Sequence, residues 1–148
     1  MNWTDLITNP QAVMGIYKQA PSLDSFIIER LIINAGSVVI SGDLAALPSS
    51  LPERWQRSGV SHCSAKITLS GIAKLQLDGV PSIQIDSDNC LIGRGAKLSI
   101  EQADSCWQGD DGTSFPHRLI VCQSDFINFR IVSQVVAVSL EGYGPSAV

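Results

Sequence analysis

The spacing of apolar residues changes near residue 23. Before that point Trp3, Leu6 and Ile7 fall at i, i+3 and i+4, and Val13, Ile16 and Tyr17 repeat the pattern. This spacing places each set on one face of a helix. Asn9-Pro10 lies between the two sets. An Asn side chain can accept a hydrogen bond from a free N–H of a helix's first turn, and a proline at the first helical position loses nothing by lacking an N–H. The pair therefore predicts a second helix starting at Pro10, and Pro21 predicts its end, because the residue before a proline is pushed out of the α region.

After residue 23 the pattern is that of strands. Residues 23–33 and 37–44 are rich in β-branched side chains and flank Asn34-Ala35-Gly36, which predicts an antiparallel hairpin. Residues 45–59 contain Pro48 and Pro52 and have no period, which predicts a loop or a short helical turn around Trp55. Ala65, Ile67 and Leu69 alternate along residues 64–70; Ser70-Gly71 then reads as a turn before a strand over 72–77. Further strand candidates are 82–86, 90–92, 97–102, 118–122 and 126–140. Closely spaced strands joined by short turns imply an antiparallel meander, since parallel neighbours need long crossovers. The last candidate is the most apolar, with Ile131, Val135, Val136, Val138 and Leu140, and fits a central strand or a dimer edge. Residues 142–148 read as a fraying tail. The expected fold is α+β: a short N-terminal helical segment on a predominantly antiparallel, meander-like sheet or sandwich, forming one domain over residues 1–148.

Composition agrees with a folded chain. Of 148 residues, 45% are hydrophobic and only 16% charged, far from the composition of disordered segments. The longest apolar run, residues 26–33, is broken by Glu29 and Arg30 and falls well short of the roughly 18 residues that span a bilayer. Asp5 stands where a secretion signal would carry positive charge, so the expected address is the cytoplasm. There Cys63, Cys90, Cys106 and Cys122 should be free thiols, and their wide spacing is unlike a zinc site, so buried small hydrophobes are the expectation. A net charge of −4 argues against nucleic acid or an anionic membrane as partner.

Candidate catalytic groups are few. His62 and Cys63 are neighbours on a strand and so point to opposite faces, which is a poor arrangement for a base and its nucleophile. His117 follows Pro116 without a local catalytic signature. Gly93-Arg94-Gly95-Ala96-Lys97 lacks phosphate-loop spacing and opens a strand. Asp86-Ser87-Asp88-Asn89 begins like a calcium loop, but Leu91 and Lys97 occupy the positions that need Gly and Glu. No catalytic residue, cofactor or metal is expected.

The charge is concentrated. Between Asp78 and Asp111 seven acids face two bases, Arg94 and Lys97. Within this segment Trp107 lies among Asp104, Asp110 and Asp111, with Gly109 and Gly112 allowing tight turns. The stretch reads either as a long polar hairpin loop with Trp107 folded onto the core, or as an aromatic anchor in an acidic rim that fits a basic protein surface.

Asn2-Trp3, Leu6-Ile7, Asn9-Pro10, Ile16-Tyr17 and Pro21-Ser22-Leu23, followed by a strand pair ending in Asp43-Leu44 and then Pro48, Pro52 and Arg54-Trp55, resemble the Immunity protein 50 family of bacterial polymorphic toxin systems. The resemblance covers roughly the first 60 residues; beyond them only the strand-rich pattern and the late aromatic Tyr143 extend it. It implies a non-enzymatic protein that binds and neutralises a cognate toxin by occluding its active site, the toxin being a cytoplasm-acting nuclease or an NAD- or nucleotide-directed enzyme. The resemblance supplies no binding residues. Composition and turn placement nominate Asp86, Asp88, Glu101, Asp104, Trp107, Asp110 and Asp111 for toxin contact. The competing expectations are a β-sandwich module that binds a sugar, with Trp107 stacking and Asp110 or Asp111 accepting hydroxyl bonds, and a small hydrolase using His117.

Overall fold

The computed structural model describes residues 2–78, 95–125 and 127–144. The strand candidates at 82–86 and 90–92, together with Asp86, Asp88 and Cys90, lie outside them. A 3-10 turn, Trp3–Leu6, and a helix α1, Pro10–Tyr17, come first. The strands β1 (Ile27–Asn34) and β2 (Ser37–Asp43) form the expected hairpin, with Gly36 at φ 81° in the turn. A short helix α2, Glu53–Arg57, buries Trp55, and β3 (His62–Asp78), β4 (Lys97–Gln108), β5 (Ser114–Gln123) and β6 (Asn128–Tyr143) follow among the described residues.

The strands make one antiparallel sheet in the order β1-β2-β3-β6-β5-β4. It consists of two three-stranded meanders, β1-β2-β3 and β4-β5-β6, joined where β3 pairs with β6 from His62↔Tyr143 to Asp78↔Asn128. The apolar final strand is therefore central. The chain enters the second meander at its outer edge and returns inward to β6. The supposed turn at Ser70-Gly71 is instead a bend within β3, where Gly71 takes φ 66° and the ladder slips between Ile72 and Lys74. Gly142 and Tyr143, read from sequence as tail, pair with Cys63 and His62.

The sheet curls until its two edges touch. Phe26, just before β1, and Ala96, just before β4, exchange backbone hydrogen bonds of 3.0 and 2.7 Å, and the Leu98 N–H donates to the Leu23 carbonyl at 2.9 Å. The result is a single curled sheet, partly closed like a barrel. One contiguous core fills it, including Val38, Ile40, Ile67, Leu69, Ile120, Ile131, Val136 and Val138, with Phe26 fully buried. Burying such side chains contributes about 2 kcal/mol each.

The N-terminal segment completes the fold by covering a gap. β5 pairs with β6 only as far as Ser133, so the β6 edge beyond it needs other partners. The Thr8 N–H donates to the Val136 carbonyl at 2.8 Å. The Asn9 side-chain amide donates to the Val138 carbonyl at 2.7 Å, and its oxygen accepts the Val138 N–H at 3.0 Å. Asn9 thus makes no helix-capping side-chain bond, contrary to the sequence expectation, although α1 does begin at Pro10. The helix also stops earlier than Pro21 predicts, at Tyr17, where Lys18 adopts a left-handed conformation and its N–H bonds the Met14 carbonyl. Trp3 Nε1 donates to the Pro21 carbonyl and the Tyr17 hydroxyl to that of Ala46.

Candidate functional site

The β4–β5 hairpin has a buried base and an exposed arm. At the base Leu98, Ile100, Ile120 and Cys122 belong to the core. Past a register shift between Gln102 and Cys106 the strands pair again through Cys106↔Pro116, Trp107↔Phe115 and Gln108↔Ser114. What the sequence presents as a polar loop is therefore two strand arms joined by a tight turn. Gly109 N–H donates to the Thr113 carbonyl at 2.9 Å, Gly112 takes φ 81°, and the Thr113 N–H donates to Asp111 Oδ1 at 3.0 Å. That bond favours the charged form and holds the Asp111 carboxyl below the usual range.

Trp107 and Phe115 face each other across the ladder and stack with ring centroids 4.8 Å apart at 29°. Neither ring belongs to the main core. Phe115 is 41% exposed and Trp107 half-buried, with an indole N–H that is buried and has no hydrogen-bond partner. Below them His117 is buried and shares a 2.9 Å hydrogen bond with the Ser105 hydroxyl, while Arg118 Nε donates to the Leu6 carbonyl at 2.9 Å and so ties the hairpin to the N-terminal segment.

Four of the nominated carboxylates, Glu101, Asp104, Asp110 and Asp111, are exposed, and none forms an ion pair among the described residues. They do not form one group. Glu101 lines a cavity of about 320 Å³ on the outer face of β4, β5 and β6, together with Lys97 and Arg130. Two bases in that cavity offset its charge. Asp110 and Asp111 sit in the turn next to the aromatic pair, and Asp104 lies in the shifted stretch of β4 that leads to it.

A second polar cluster spans the ends of β2, β3 and β6. The Tyr143 hydroxyl donates to Asp43 Oδ2, and the His62 ring stacks on Tyr143 with centroids 5.2 Å apart at 13°. His62 Nδ1 is 2.8 Å from the Ser61 hydroxyl. Asp43 is 9% exposed, and its Oδ1 is buried with no hydrogen-bond partner. Burial and the Asp43 carboxylate push the Tyr143 hydroxyl well above its ordinary range, which keeps it protonated as a donor. A hundred residues separate these two partners, and no sequence motif joins them; the late Tyr143 was the one visible signal.

Of the cysteines, Cys63 and Cys122 are buried free thiols, whereas Cys106 is exposed and so departs from the expected burial. Burial pushes the Cys122 thiol up to about 11 and also raises Cys63. Among the described residues no three His, Cys, Asp or Glu side chains are placed to hold a metal ion, and no helix is long and apolar enough to cross a membrane. No family model, curated protein or solved structure matches this chain, so the hairpin and the Asp43 cluster must be understood from their own residues.

Proposed function

We propose that this protein binds and neutralises a toxin domain in the cytoplasm, as the resemblance to the Immunity protein 50 family implies, and that the tip of the β4–β5 hairpin is its principal contact. One observation carries the reading: the stacked Trp107–Phe115 pair lies outside the core on a partly exposed arm, has an unpartnered indole N–H, and adjoins the exposed turn carboxylates. Interface hot spots are enriched in tryptophan, set in a desolvated centre with a surrounding rim. The carboxylates complement a basic cleft such as those that hold nucleic acid or a nucleotide cofactor, which supports a nuclease or NAD- or nucleotide-directed toxin. The sugar-binding alternative uses Trp107 as a stacking platform, but Phe115 already covers one indole face.

Co-expression with the product of the neighbouring gene, which this reading requires to be a toxin domain, tests the proposal: the pair should co-purify, and growth should be restored. Failure of both rejects it. If the pair forms, replacing Asp104, Asp110 and Asp111 together with Ser should slow association at low salt and flatten its salt dependence. An unchanged association rate would place the interface away from the hairpin.

A further inference from the structure

We propose that the outer face where β2, β3 and β6 end is a socket for an arginine side chain of a partner protein, with Asp43 and Glu29 receiving the guanidinium and Tyr143 and His62 lying against its plane. The proposal concerns a site distinct from the hairpin and does not depend on the partner being a toxin. Asp43↔Ser64 and Ser64↔Glu141 are directly opposed pairs across β2, β3 and β6, so their side chains share a face. Tyr143 lies two residues beyond Glu141 and shares that face, and its hydroxyl reaches back across β3 to Asp43. Glu29 lies in the bulged part of β1, two residues after Ile27, which is the direct partner of Asp43 across β1 and β2. Three carboxylates, Glu29, Asp43 and Glu141, thus gather at one sheet end, and none has an ion-pair partner among the described residues.

The unpartnered Asp43 oxygen points to a missing donor. A buried carboxylate needs donors on both oxygens, and here one hydroxyl serves Oδ2 while Oδ1 has nothing. Arginine fits better than lysine for two reasons. Its planar fork can donate to two carboxylate oxygens at once, and its weakly hydrated face stacks on aromatic rings, which are already in place as the His62–Tyr143 pair. The way in is past His62, whose ring is exposed and makes no bond to Asp43, while Tyr143 keeps its bond to Asp43 Oδ2.

The test titrates the whole protein with N-acetyl-arginine methylamide and with its neutral isostere N-acetyl-citrulline methylamide, following amide and aromatic resonances by NMR. The arginine probe should shift Tyr143, His62 and Asp43 saturably in the millimolar range, and the citrulline probe should bind at least about tenfold more weakly. Asp43→Asn, which keeps an acceptor for Tyr143, should abolish the saturable shifts; the exposed Glu29→Gln should weaken them by about threefold with no change in the unfolding midpoint. Equal binding of the two probes, undiminished binding by both variants, or shifts confined to the hairpin would overturn the proposal. So would agmatine binding more than about tenfold tighter than the peptide-like probe, since the ligand would then be a small guanidino compound.

Discussion

The place where the sheet closes and the arm of the β4–β5 hairpin both depend on aromatic residues, in opposite ways. Phe26 is fully enclosed, and its backbone bonds Ala96 across the two sheet edges. Phe115 belongs to a ladder as well, yet 41% of it faces solvent and its ring stacks on Trp107. Enclosure makes Phe26 a determinant of stability, because removing it leaves a cavity in the core. Partial exposure makes the Trp107–Phe115 pair inexpensive to lose from the folded protein and available to a partner.

The sharpest way to break this contrast is Phe26→Ala, which should cost about 3–4 kcal/mol in urea unfolding. A loss under about 1 kcal/mol would mean that the closure contributes little. Next comes Trp107→Ala. It should lower affinity for the proposed toxin partner by at least about 2 kcal/mol while changing the unfolding free energy by only about 1 kcal/mol, the scale of an aromatic pair. Equal losses in both would erase the distinction between the two regions.

Asn9→Asp probes the closed region more finely. If Asn9 only capped α1, Asp would serve as well. Because its amide donates to the Val138 carbonyl, the carboxylate should cost about 1–2 kcal/mol, measurable at neutral pH. The smallest effect belongs to the hairpin. The Asp111 carboxyl is depressed in the folded state, so its help to the turn is complete above the unfolded value of about 3.9 and disappears as pH falls through the lower folded value. Protection of the Thr113 amide, its exchange relative to the intrinsic rate at each pH, should therefore fall in that acidic window, and Asp111→Asn should remove the dependence.

Sequence reasoning reached what is locally encoded. Alternation through Ala65, Ile67 and Leu69, the Gly36 turn and the Pro10 helix start are all present. It failed where a residue serves a distant partner. Gly71 resembles a turn residue, but its positive φ bends a continuous strand, and the Gln134 side chain fills the space where a Cβ would stand. Asn9 resembles a cap, but an unpaired stretch of β6 competes for its amide and wins. Trp107 was visible as an aromatic among acids; its stack on Phe115 was not, because the register depends on the irregularity between Gln102 and Cys106. The Asp43–Tyr143 contact depends on three strands aligning first, and nothing near either residue announces it.

The pairing of Asn9 with Val138 also has a consequence in time. These residues are 129 apart, so at typical rates of translation the ribosome delivers Val138 on the order of ten seconds after Asn9. Throughout that interval Val13 and Tyr17, the buried residues of α1, have no β6 to rest on. The helix is thus made well before the strand it rests on, and the newborn chain must carry an open greasy stretch until β6 is made.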